Sequence, residues 1–102
     1  MTHPALRLDD MVHQRVRLGI LAVLGEVRRA DFSYLRGALE LTDGNLSRHL
    51  QVLEEAGLVK VDKGFEGRRP RTWVEATRRG RKALDEEMSA LRELIARVDG
   101  NG

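Results

Sequence analysis

Cysteine is absent from the 102 residues, which excludes disulfides, zinc-finger ligand spacing and thiol catalysis. Histidine is scarce: His3, His13 and His49 include no pair at ligand spacing with a carboxylate on the same helix face, so no metal is expected. Long apolar runs are missing as well. The longest, Gly19 to Gly25, falls far short of the ~20 residues that span a bilayer. Met1 to Leu8 lacks the apolar run of a signal peptide, so no membrane partner and a cytoplasmic location are expected. No glycine-rich phosphate loop follows a strand. Ser47 and His49 stand two apart and point to different sides of a helix, which is no nucleophile–base pair. The carboxylate runs Glu54-Glu55 and Asp85-Glu86-Glu87 read as polar helix faces with nothing to separate their pKa values. No enzyme and no cofactor is expected.

What is present is charge laid down unevenly. Residues 60–82 hold nine basic side chains (Lys60, Lys63, Arg68, Arg69, Arg71, Arg78, Arg79, Arg81 and Lys82) against Asp62, Glu66 and Glu75. That stretch carries +6 and the remainder −4, within a formal net charge of only +2. One basic surface on an acidic body is the electrostatic footprint of a polyanion partner; the alternative is a solvated charged loop. The length fits one compact domain, expected over residues 9–98, with a flexible leader at 1–8 and a disordered tail at 99–102. No internal repeat or low-complexity segment appears.

From Asp9 or Asp10, either a helix cap, the apolar residues Met11, Val12, Val16, Ile20, Val23, Leu24 and Val27 recur at steps of three and four. This spacing predicts one helix of four or five turns, ending near Gly25 to Arg28. Asp31 or Ser33 can cap a short second helix with Phe32, Leu35 and Leu39 on one face, where Gly37 costs about 1 kcal/mol relative to alanine. The third helix has the clearest ends. Thr42 is its N-cap, Leu41 can meet Leu46 as a hydrophobic staple, and Leu46, Leu50 and Leu53 form its buried stripe. Gly57 can take the left-handed stop, with Leu58 placed to touch Leu53.

The period then changes to alternation. Val59 and Val61 begin a strand, Gly64, Gly67 and Pro70 break the chain around a basic tip, and Thr72 to Ala76 return as a second strand. A β-hairpin with a loop of several residues is expected; Trp73 and Val74 compete for its inward face. Thr77 can cap a last helix reaching about Val98, in which Leu84, Met88, Leu91, Ile95 and Val98 form a heptad-like seam. That seam either packs on its own domain or, together with the stripe of the first helix at Met11, joins two copies in a homodimer. Five apolar positions exceed what a small three-helix core easily covers, which favours the dimer.

The fold class that results is mainly α with a small β-hairpin (α+β), in the order α-α-α-β-β-α. Two short helices joined by a tight turn make a helix-turn-helix. Once its leucine stripe is buried, the third helix exposes Asp43, Gly44, Asn45, Ser47, Arg48, His49 and Gln51. Such a helix, over residues 42–56, can enter the major groove, where Arg grips guanine and Asn or Gln grips adenine. Gly44 lets the backbone come close, and the helix N-terminus favours a phosphate. The wing, residues 64–72, carries Arg68, Arg69 and Arg71 with no matching acidic neighbours and a tip stiffened by Pro70. It suits the sugar-phosphate backbone or the minor groove. Double-stranded DNA, read sequence-specifically, is the expected partner.

The stretch Leu41-Thr42-Asp43-Gly44-Asn45-Leu46-Ser47-Arg48-His49-Leu50, continuing Val52-Leu53-Glu54-Glu55-Ala56-Gly57-Leu58-Val59, resembles winged-helix regulators of the ArsR/MarR type. It is most similar to their compact winged helix DNA-binding domain subgroup. The wing Phe65-Glu66-Gly67-Arg68-Arg69-Pro70-Arg71-Thr72, the later Thr77-Arg78-Arg79-Gly80-Arg81 and the opening Val16-Arg17-Leu18-Gly19-Ile20-Leu21 share the resemblance, which covers about residues 10 to 90. It implies a homodimer joined by terminal helices, with Thr42, Asn45, Ser47, Arg48 and His49 facing DNA, together with Arg68, Arg69 and Arg71 of the wing. Two departures matter. The cysteine pair of the metal-sensing relatives is missing, and so is the extra length with which many MarR-type proteins build a ligand pocket, which argues against a small-molecule effector. Two rival readings are a winged helix serving as a protein-interaction module and an architectural DNA binder without sequence preference.

Overall fold

The computed structural model describes residues 3–100. A single 3-10 turn, Pro4–Arg7, is followed by α1 (Asp10–His13), α2 (Arg15–Glu26), β1 (Ala30–Asp31), α3 (Phe32–Ala38), α4 (Asp43–Glu55), β2 (Val59–Glu66), β3 (Arg69–Ala76) and α5 (Arg78–Gly100). The strands form one antiparallel sheet in the order β1-β3-β2. This is a winged helix-turn-helix with α3 and α4 as the helix pair and β2–β3 as the wing.

The first predicted helix is two. Gln14 leaves the helical region at ψ 130 and caps α2, its side-chain oxygen accepting from the Arg17 amide at 2.9 Å. Asp9 caps α1 in the same way through Met11. The break persists because both pieces are held: Arg17 Nε donates to the Met11 carbonyl at 2.7 Å, occupying an acceptor that the end of α1 leaves open. From His3 onward the expected leader packs on the domain, with His3 Nδ1 accepting from the Ala5 amide, Pro4 buried, and Arg7 paired with Glu93 of α5 at 2.9 Å. Met1 and Thr2 lie outside the described residues. At the other end Asp99 and Gly100 continue α5, and Asn101 and Gly102 lie outside.

One core unites the elements: Val12, Ile20, Leu21, Leu24, Leu35, Leu46, Leu50, Leu53, Leu58, Val59 and Val74 are buried together. The rivalry on β3 goes to Val74, which faces inward at 1% exposure. Trp73 lies on the outer face, with the Arg29 guanidinium 4.2 Å and that of Arg71 5.3 Å from its ring centroid. These two cations against the ring give the indole cover that the core does not supply.

α5 buries a different stripe from its heptad seam. Gly80, Glu87 and Ala90 are its buried residues, while Ile95 and Val98 are 57% and 70% exposed. Met11 and Leu84, assigned to a dimer interface on sequence, pack against the protomer's own core, and Met88 and Leu91 are half-buried. Glu87 is not on a polar face. Its carboxylate, 1% exposed, accepts from the Asp9 amide at 3.1 Å and meets His13 Nδ1 at 2.6 Å. The N-terminal segment covers that side of α5 and supplies the partners a buried carboxylate requires.

Candidate nucleic-acid interface

The recognition helix α4 is fixed at both ends. Thr42 Oγ1 accepts from the Asn45 amide at 3.1 Å, the N-cap expected of it. At the far end the Leu58 amide donates to the Leu53 carbonyl and the Gly57 amide to that of Glu54, both at 2.9 Å, with Gly57 at φ 78. These are the two bonds of a Schellman motif. Thr77 then locks the stop to α5, donating its hydroxyl to the Gly57 carbonyl at 2.7 Å and accepting from the Gly80 amide at 2.9 Å. Leu46, Leu50 and Leu53 are buried as the stripe required.

The turn before α4 repeats this pattern with a residue the sequence does not flag. The Leu41 amide donates to the Arg36 carbonyl and the Glu40 amide to that of Gly37, with Glu40 at φ 53. Arg36 of α3 also pairs with Asp43 in the first turn of α4 at 2.5 Å. Both connections hold α4 at one angle to α3.

On the outward face Thr42, Gly44, Asn45, Ser47, Arg48 and Gln51 are all exposed. Several are already engaged: Arg48 donates to Asn45 Oδ1 at 2.9 Å, and Gln51 to Glu55 at 3.2 Å. His49 differs from its neighbours. It is half-buried, and its Nδ1 is buried without a partner among the described residues. Burial, with smaller contributions from the Arg17 and Arg48 guanidinium groups, lowers its pKa and favours the neutral ring.

The wing is a longer ladder with a tighter tip than expected. β2 and β3 pair from Val59↔Ala76 out to Glu66↔Arg69, leaving Gly67-Arg68 as a two-residue turn rather than a loop of several residues. Gly67 at φ 64 supplies the positive φ needed at the first central position of a type II′ hairpin. Pro70 is tolerated because it sits opposite Phe65, one step from the turn-closing pair, where its nitrogen faces away from β2. β1 pairs only at Val74 and Trp73, so no strand lies on that side of Pro70.

The three wing arginines part company. Arg71 is bound, to Asp31 Oδ2 at 2.6 Å and Glu66 Oε1 at 3.2 Å. The expectation of a wing arginine without acidic neighbours therefore fails for Arg71, because pairing with β1 brings Asp31 beside it. Arg68 and Arg69 are exposed at the tip and have no side-chain partner among the described residues. Asp31 does double duty, its other oxygen capping α3 through the Tyr34 amide at 2.7 Å.

Between helix and wing lies an open cleft of about 540 Å³, lined by Asp43, Ser47, Gln51 and Glu54 of α4 and by Val61, Lys63 and Thr72 of the wing. Glu54 closes its inner end by accepting from the Val61 amide at 3.0 Å. Sequence reasoning passes over Lys63 and Phe65 as site residues. Strand alternation from the buried Val59 puts both on the inward face of the wing.

A protein-family model described as a winged helix DNA-binding domain matches residues 16–95. The chain belongs to that family. It is 37% identical over 84 residues to an uncharacterized protein of Methanocaldococcus jannaschii, covering 82% of this chain and 91% of that one. Among solved structures it resembles a transcriptional regulator homologue from Pyrococcus horikoshii OT3 with a TM-score of 0.83 and 42% identity, covering 87% and 88% of the two chains. The M. tuberculosis transcriptional regulator MOSR, solved in complex with DNA, matches with a TM-score of 0.72 and 25% identity, over 97% of this chain and 71% of that one. The winged-helix fold of the helix pair and wing is the one this DNA-binding family implies.

Proposed function

We propose that this winged-helix protein binds duplex DNA sequence-specifically as a homodimer, with α4 in the major groove and the wing on the adjacent backbone or minor groove. The observation that carries the reading is the cleft itself. The exposed Ser47 and Gln51 of α4 and Lys63 of the wing line one open concavity, and the unpaired Arg68 and Arg69 stand beyond it. A phosphate backbone crossing that cleft would place base edges against Asn45, Arg48 and Gln51. Gly44 agrees with this: a Cβ there would meet nothing within 4 Å. No neighbour within the protomer requires a glycine there, and its lack of a side chain leaves room for a phosphate to approach the helix N-terminus closely.

The homodimer is supported by α5. At 23 residues it outruns the core, and Ile95 and Val98 stay exposed on it. Pairing two such ends would bury those residues and set two recognition helices about one DNA turn, ~34 Å, apart.

Selection from random duplex DNA at near-physiological salt, followed by sequencing of the bound pool, tests the reading. An inverted repeat with half-sites about one turn apart is the expected result. An unenriched pool with strong salt-sensitive binding would replace it with architectural binding, and no binding would favour a protein-interaction module.

A further inference from the structure

The wing's inward face changes character along its length. Val59, Val74 and Ala76 are buried in the core, Val61 and Thr72 are half-buried at the cleft, and beyond them Phe65 and Pro70 face each other across the ladder. As a pair not bonded through the backbone, they have their side chains close together. Phe65 is 75% exposed. The ladder has outrun the core at this point: past the exposed Lys63, the same face ends in a bare aromatic ring beside a pyrrolidine. Arg68 stands in the turn beside this apolar tip, and Arg69, the partner of Glu66, lies by alternation on the opposite face of the ladder; neither has a side-chain partner among the described residues.

We propose that Phe65, backed by Pro70, is a wedge that enters a base step of the DNA minor groove and kinks the duplex, guided there by Arg68 and Arg69. This rests on the DNA reading above and adds a deformation to it. Charge complementarity names the occupant. Two free guanidinium groups beside an apolar tip match a groove of negative potential whose floor is stacked bases. Solvent gives the ring no reason to be there, because burying a phenyl group is worth roughly 1.5–3 kcal/mol and the fold leaves this one in water. Alternation puts Phe65 on the side of the wing that faces α4, the side from which DNA would approach, and leaves Arg71 with its two carboxylates on the other. A wedge of this kind makes flexible pyrimidine–purine steps preferred where no side chain hydrogen-bonds a base.

The test is end-to-end energy transfer in a dye-labelled 30-base-pair duplex of the sequence most enriched by selection, with anisotropy reporting binding in the same tube. The wild-type protein shortens the end-to-end distance by a kink somewhere in the range of about 20–90°. Phe65→Ala binds roughly tenfold more weakly or less, with no kink and an unchanged salt dependence, since no phosphate contact is lost. Phe65→Leu, which keeps an apolar wedge, retains the kink. Because the ring is exposed, both variants melt like the wild type. Binding without a kink, or an equal kink with Phe65→Ala, overturns the wedge while leaving the DNA reading intact. Failure of the wild type to bind any duplex overturns both.

Discussion

The recognition helix and the wing are built to opposite rules. α4 is held by a buried stripe, a cap at Thr42, a Schellman stop at Gly57 and a lock through Thr77. Its outward side chains are partly organised too, with Arg48 resting on Asn45 and Gln51 on Glu55. The wing's side-chain ties run from Arg71 to Asp31 and Glu66 and from Glu54 to the Val61 amide, while at its tip Phe65 is bare and Arg68 and Arg69 have no side-chain partner among the described residues. Base reading requires side chains delivered at fixed positions, whereas backbone contact tolerates a flexible arm. The proposed division of labour, bases to α4 and backbone to the wing, agrees with how each region is anchored.

The comparison breaks most completely at the helix's seat. Gly80 opens α5 directly beneath the α4 stop, and a Cβ there would lie 2.0 Å from the Leu58 carbonyl oxygen. That oxygen is backbone, already accepts from the Thr77 amide at 3.0 Å, and cannot swing aside. Gly80→Ala is expected to destabilise the protein by about 3 kcal/mol or more. At about 4–8 °C per kcal/mol for a domain of this size, the thermal midpoint drops by more than about 10 °C. An unchanged midpoint would show that the lock between α4 and α5 is loose.

A smaller effect separates the wing's root from its tip. Asp31→Ala removes both the α3 cap and the partner of Arg71, and is expected to cost about 1–2 kcal/mol in urea unfolding. Arg68→Ala is expected to leave stability alone and to flatten the salt dependence of DNA binding by about one unit of slope. Arg71→Ala should leave that slope unchanged, because its charge is already met by Asp31 and Glu66. Equal slopes for Arg68→Ala and Arg71→Ala would mean that Arg71 leaves its carboxylates to join the DNA.

The legible parts of this molecule are those in which one residue type has one physical use. Thr42, Gly57 and the leucines of α4 declare a capped, stopped and striped helix, and the return of alternation at Val59 declares the wing. Three features are hidden because their causes lie far apart in sequence. The neutralisation of Arg71 depends on Asp31, forty residues away. The burial of Glu87 depends on Asp9 and His13, brought to α5 by the N-terminal segment. The outward place of Trp73 goes with Arg29, forty-four residues earlier, lying against the indole. The exposed ring of Phe65 is obscured in another way, since alternation alone does not tell where a strand leaves the core.

The smallest expected effect lies where the two regions solve one problem differently. Each turn needs a positive φ, and the wing meets the need with Gly67 at φ 64 while the turn ahead of α4 holds Glu40 at φ 53. A side chain in that region costs roughly 1–2 kcal/mol, and a glycine replacement returns some of it through the greater freedom of the unfolded chain, about 0.5–1 kcal/mol. Glu40→Gly is therefore expected to stabilise the protein by roughly 0.5–1 kcal/mol, read as a urea midpoint that rises with no change in slope. The bonds from the Leu41 and Glu40 amides would persist, because they involve backbone atoms alone. A fall in stability would mean that the Glu40 side chain contributes more to this turn than its backbone costs, and that the helix's leading turn, like its trailing one, is free of net strain.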